Sequence, residues 1–133
     1  MTNSITPLFN DSTLQSLKLT LDAASLRHGA IASNIANIST PGYKRLDVAP
    51  QFQTEFQNAL AQLNRGEEAH PLYPANTIQK DASILSEKAD GNNVNLDSEM
   101  LEMTKNQTLF EFSSTLAAKR YNGLKVAITG RTS

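Results

Sequence analysis

The residues of this chain that could do chemistry are few, and their spacing suits none of the common reactions. His28 and His70 stand alone, with no cysteine anywhere and no His-x-x-x-His spacing that would build a metal site. Glu99 and Glu102 are three apart, which on a helix could pair an acid with a base. That spacing belongs far more often to a solvated helix face, and it is read that way. Ser33, Ser39 and Ser113 have no histidine within a nucleophile motif. The glycines, Gly29, Gly42, Gly66, Gly91, Gly123 and Gly130, are scattered singly and form no phosphate-binding loop. The expectation is therefore no catalytic residue, no cofactor, no metal and no enzyme.

One cluster does not fit the ordinary account. In the run Ala32 to Lys44, Asn34 and Asn37 stand three apart among aliphatic residues, beside Ile35 and Ile38, and the run ends in Thr40-Pro41-Gly42-Tyr43. A helix ending in a Pro-Gly turn explains Thr40 to Gly42. It leaves the two amides unexplained, and amides in that position can bond a neighbouring backbone.

The elements that must position this cluster follow from periodicity. Leu14, Leu17, Leu21, Ala24, His28, Ile31, Ile35 and Ile38 recur at alternating spacings of three and four, a heptad seam that predicts a helix over 12–39. Asp11 or Ser12 would cap it, and Pro41-Gly42 would stop it as the centre of a type II turn. The other end repeats the pattern through Leu96, Met100, Met103, Gln107, Phe110, Ser114, Ala117, Tyr121, Leu124 and Ile128, predicting a helix over 96–128. Asn95 or Asp97 would cap its start, and Gly130 would close its end. Leu109, Phe112 and Leu116 lie off this seam as an outer stripe, so one partner helix cannot cover all its apolar surface.

Between the two lies a connection over 40–95. Phe52, Phe56, Leu60 and Leu63 predict one short helix over about 48–63. The rest carries Pro71, Pro74, Gly66 and Gly91 and reads as mostly irregular, with Thr77-Ile78 and Ile84-Leu85 extended and a short hairpin between them. The fold class is mainly α: two long terminal helices in an antiparallel, coiled-coil-like pair joined by a short helix and a mostly irregular connection. The pairing would set Leu14 and Leu17 against Leu124 and Ile128, and Ile35 and Ile38 against Leu96 and Met100. At 133 residues the chain is one domain's worth, 1–133.

Composition narrows the partners. Lys plus Arg number 12 against 13 Asp plus Glu, and no basic run exceeds a dipeptide such as Lys44-Arg45 or Lys119-Arg120. That balance excludes nucleic acid and anionic membrane as expected partners. No apolar run approaches a membrane span, and Met1 to Asn10 lacks the basic and apolar regions of a cleavable signal, giving a cytoplasmic default. Aromatics are only 6% with no Trp, a thin core that suggests helices seeking partners.

The stretch Asn34, Asn37, Thr40, Pro41, Gly42, Tyr43 resembles the N-terminal signature of the flagellar axial protein family, the rod, hook and hook-associated proteins. The chain departs from that signature at Ser33 and at Ile38-Ser39. A second, independent resemblance runs through Gly91-Asn92-Asn93-Val94-Asn95-Leu96, Glu99-Met100, Lys105-Asn106-Gln107 and Gly123 to Ile128. It is similar to the short proximal rod proteins rather than to the longer distal rod and hook chains.

The resemblance implies a structural subunit of the flagellar basal-body rod, a hollow periplasmic drive shaft that transmits torque. It implies export through the flagellar type III apparatus without a cleavable signal peptide, which replaces the cytoplasmic default. The implied partners are the chain itself, other flagellar rod proteins, the rod-to-membrane-ring adaptor and the type III export gate, with no direct membrane insertion. Two alternatives stay open: a soluble coiled-coil adaptor, which would share the heptads but not the two signatures, and the sister proximal rod protein of the same family.

Overall fold

The computed structural model describes residues 11–68, 78–80 and 88–130. Helix α1 spans Ser12–Ala36, strand β1 Leu46–Val48, helix α2 Pro50–Asn64, strand β2 Ile78–Lys80 and helix α3 Leu96–Thr129. Asp11 caps α1 by accepting the Thr13 N–H at 2.9 Å. Asn95 caps α3 by accepting from Ser98 at 3.1 Å, and Gly130, left-handed at φ 63°, closes it as expected.

The first helix is three residues shorter than expected. Asn37 ends it: its amide donates back to Ser33 O at 2.9 Å, and the carbonyls of Asn37, Ile38 and Thr40 turn to the Asn92 side chain instead of continuing the helical ladder. The Pro41-Gly42 turn follows this stop rather than causing it. Gly42 has φ 69°, and Tyr43 N–H closes the turn onto Thr40 O at 3.2 Å, the geometry a type II turn requires of its third residue.

The described part of the connection holds two strands as well as a short helix. The short helix starts at Pro50, whose fixed φ suits a first turn, and the residues expected to begin it at Val48 are strand instead. Strand β1 pairs antiparallel with β2 in the register Leu46↔Lys80, Asp47↔Gln79, Val48↔Ile78, bracketing α2. The expected short hairpin is not the source of this sheet, because β2 pairs with β1 on the far side of α2. Thr77, Ile84 and Leu85 fall outside the described residues.

Helix α1 is the spine, packing against α3, β1 and α2. The apolar core is small: Ala24, Ala30 and Ile31 from α1, Ala49, Phe52, Ala59 and Leu63 around α2, and Val94 before α3. Phe52 and Phe56 stack with ring centroids 6.2 Å apart. The pair of long helices is antiparallel, with Asn34 beside Glu99 at one end and Asp11 beside Arg120 at the other. At about 1.5 Å per residue α3 is about 13 Å longer than α1 and overhangs its start.

The expected seam of α3 is not its buried line. The buried residues are Glu99, Asn106 and Ser113, one heptad apart. Leu96, Met100, Phe110, Tyr121 and Ile128 are exposed, while Met103, Ala117 and Leu124 are half-buried. The reason is that Glu99 and Asn106 have polar partners across the interface, which turns this face inward and rotates the apolar stripe outward. His28, expected within the α1 seam, is exposed for the same reason. Leu17 and Leu124 line one open groove, and Ile128 lies beyond the start of α1.

Candidate functional site

Where α1 ends, two loops and both long helices meet in a network of polar side chains. Asn34 is fully buried on the last turn of α1, and its amide treats Leu46 as a neighbouring strand would. It donates to Leu46 O at 2.8 Å and accepts from Leu46 N–H at 2.7 Å. The same amide nitrogen donates to Glu99 at 3.0 Å, and the amide oxygen accepts from the Tyr43 hydroxyl at 3.3 Å. The Ser33 and Tyr43 hydroxyls lie 3.0 Å apart. Asn34 therefore joins α1, the Pro-Gly turn, β1 and α3 at one point.

Arg45 completes the junction. Its guanidinium donates to Glu99 at 2.5 Å and to Asp47 at 2.6 Å. Burial works against the Arg45 charge, but the hydrogen bonds and charges of Asp47 and Glu99 outweigh it and hold the group more firmly protonated than in water. Glu99 has no solvent exposure at all, which corrects its reading as part of a solvated helix face. Burying a carboxylate at that depth is tolerable only because Arg45 and Asn34 bond both of its oxygens. Glu102 is partly exposed and pairs with Lys105 at 2.8 Å.

The second loop locks onto the first. Asn92, fully buried, donates to the carbonyls of Asn37, Ile38 and Thr40 at 3.0, 3.2 and 2.9 Å, and its oxygen accepts from Val94 N–H at 2.8 Å. Lys88 adds a cation at the same helix end, donating to Ile38 O at 3.1 Å. Asn93 accepts from Arg45 N–H at 2.6 Å, Lys44 donates to Gly91 O at 2.8 Å, and Gly42 N–H donates to Asp90 O at 2.8 Å. Among the described residues no buried side-chain polar atom lacks a partner. The arrangement is a closed clasp.

Of the residues singled out by sequence, Asn34, Asn37, Thr40, Gly42 and Tyr43 all belong to this clasp. Asn34 bonds a neighbouring backbone as expected, while Asn37 bonds its own helix. The outer stripe of Leu109, Phe112 and Leu116 is exposed and lies apart from it. Arg45, Asn92 and Glu99 were not read as functional. A signal existed for two of them, since Asn92 and Glu99 stand in the second stretch that carries the family resemblance. Arg45 had none beyond its charge. Among the described residues, no group of His, Cys, Asp or Glu could hold a metal ion, and no helix is long and apolar enough to cross a membrane.

A family model described as flagella basal body rod protein matches residues 14–44, the segment from the start of α1 through the Pro-Gly turn. The flagellar basal body rod protein FlgB of Borrelia hermsii is 32% identical over 125 residues, covering 81% of this chain and 89% of its own. FlgB of Bacillus subtilis strain 168 is also 32% identical, over 123 residues, covering 89% of this chain and 94% of its own. The chain belongs to the FlgB family of flagellar basal body rod proteins. FlgB of Buchnera aphidicola, at 25% identity, aligns over 98% of this chain and 100% of its own length. These alignments reach well past the 14–44 match, into the part of the chain that supplies Asn92 and Glu99. The family is one of structural rod proteins.

Proposed function

We propose that this chain is a structural, non-enzymatic subunit of the flagellar basal-body rod, acting as one rod-subunit domain over 1–133. It self-assembles with other rod proteins into the hollow periplasmic drive shaft that transmits torque. Family membership supports the rod assignment. The observation that supports assembly is the outer surface of α3. Leu96, Met100, Leu101, Leu109, Phe110, Phe112, Leu116, Tyr121 and Ile128 are all exposed, and no other described element leaves large apolar side chains so exposed. Single exposed apolar residues are ordinary, but a run along one helix calls for cover by another protein surface.

In this reading the clasp fixes the angle at which the loops leave the helix pair, and the apolar side of α3 meets neighbouring subunits. Asn34, Asn37, Thr40, Pro41, Gly42 and Tyr43 serve the first task. Leu109, Phe112 and Leu116, with the exposed part of the expected seam, serve the second. The neighbours are further copies of the chain, other rod proteins, the adaptor joining the rod to the membrane ring, and the type III export gate, through which the chain leaves without a cleavable signal. Electron microscopy of basal bodies from a strain lacking this gene tests the proposal. Basal bodies without a complete rod are expected, and complete rods would end it.

A further inference from the structure

The inner line of α3 is polar where a helix pair is ordinarily apolar. Glu99 is part of the clasp, but Asn106, one heptad further along, is not. It is 5% exposed, and its side-chain amide donates a 2.8 Å bond to the backbone carbonyl of Ala24 on α1. That carbonyl lies within a continuous helix, so a second donor adds little net stability, while drying the amide has a cost. An apolar residue would fill the place more stably. What the amide offers instead is discrimination between positions along α1.

The discrimination comes from Ala24. Among the heptad positions Leu14, Leu17, Leu21, Ala24, His28, Ile31, Ile35 and Ile38, it is the only alanine. Among these positions only Ala24, with its methyl side chain, lets the amide reach the helix backbone. One heptad away in either direction the amide would face Leu17 or Ile31, and their side chains would hold it away from any carbonyl. The same register sets Arg120 against Asp11 and Glu99 against Asn34. We infer that Asn106 is the register-determining residue of the helix pair, fixing α3 against α1 through the Ala24 carbonyl at some cost in stability.

The inference goes beyond the rod reading and is tested without it. A slide of one heptad would displace the apolar surface of α3 by about 10 Å along the axis, so subunits would present it to their neighbours at the wrong height. Because the chain has no cysteine, A32C and T108C place two nitroxide labels uniquely on exposed positions of α1 and α3, flanking the Asn106 contact. Their separation is measured by pulsed electron spin resonance on the full chain, with an osmolyte added to favour the paired helices.

One narrow distance is expected with Asn106 present. Asn106→Leu, and Asn106→Ala as a variant that cannot overpack, should each add a second distance several ångströms away, with a melting midpoint no lower than the parent's. A single unchanged distance in both variants would overturn the inference. So would loss of helix in both by circular dichroism, since Asn106 would then support the pair rather than choose its register. A parent chain with no defined distance would remove register as a property of the chain.

Discussion

At the end where α1 stops, Asn34, Arg45, Asn92 and Glu99 tie two loops and two helices together with bonds of 2.5 to 3.3 Å, three of the four with no exposure. At the end where α1 starts, the ion pair Arg120 to Asp11 at 2.5 Å is the one that crosses between the helices among the described residues. It stands beside an open groove lined by Thr13, Leu17, Leu116, Lys119, Gly123 and Leu124. Phe112, Tyr121 and Ile128 on that half of α3 are more than 60% exposed, whereas the clasp encloses Val94 at 1%. The first end satisfies itself within the chain. The second leaves large apolar side chains exposed among the described residues, the surface that the proposed assembly would cover.

Substitutions at the two ends should therefore differ in kind. Arg45→Met leaves the Glu99 carboxylate buried with its charge partner gone, and should cost about 3 to 5 kcal/mol, read by chemical denaturation of the purified chain. A loss below about 1 kcal/mol would mean the clasp is not what holds that end. Gly42→Val is smaller. An added Cβ meets no atom within 4 Å, so the effect, about 1 to 2 kcal/mol, comes from forcing a branched residue to φ 69°. An unchanged midpoint would show that the turn relaxes freely.

The smallest effect belongs to the other end. The hydrogen bond from Arg120 holds the Asp11 carboxyl below its ordinary 3.8, against the opposing pull of burial. A carboxyl depressed in the folded state stabilises fully above its unfolded value and loses that contribution as pH falls through the folded one. In an osmolyte that favours the paired helices, unfolding of the parent should therefore show a slight acid-side loss below about pH 4 that Asp11→Asn lacks. Identical acid limbs would show that the ion pair adds nothing to the helix pair.

Much of the fold was legible because the heptads of α1 and α3 and the caps at Asp11, Asn95 and Gly130 are local signals. The site was half legible. Asn34 and Asn37 were conspicuous as amides among aliphatics, but their partners lie far along the chain, 65 residues away for Glu99 and 55 between Asn37 and Asn92. Periodicity assigns a charged residue such as Glu99 to solvent, because burial of a carboxylate depends on an arginine that no local pattern connects to it. The same limit misplaced the α3 seam. Leu96, Met100 and Phe110 keep perfect heptad spacing, yet the contacts of Glu99 and Asn106 rotate them outward. Strand β1 was missed because its partner at 78–80 lies beyond the intervening helix.

The central claim is that the clasp end is folded by the chain itself while the far half of the helix pair waits for other subunits. Amide hydrogen exchange of the purified full chain in dilute solution, read by mass spectrometry, measures this directly. The amides of Leu46 and Val94, bonded to Asn34 and Asn92 at 2.7 and 2.8 Å, should exchange slowly together with the first turns of α3. Residues 12–20 and 114–129 should exchange close to the rate of unfolded chain. Uniform protection along both helices would contradict the account and describe a stand-alone coiled coil, and unprotected amides at Leu46 and Val94 would remove the clasp.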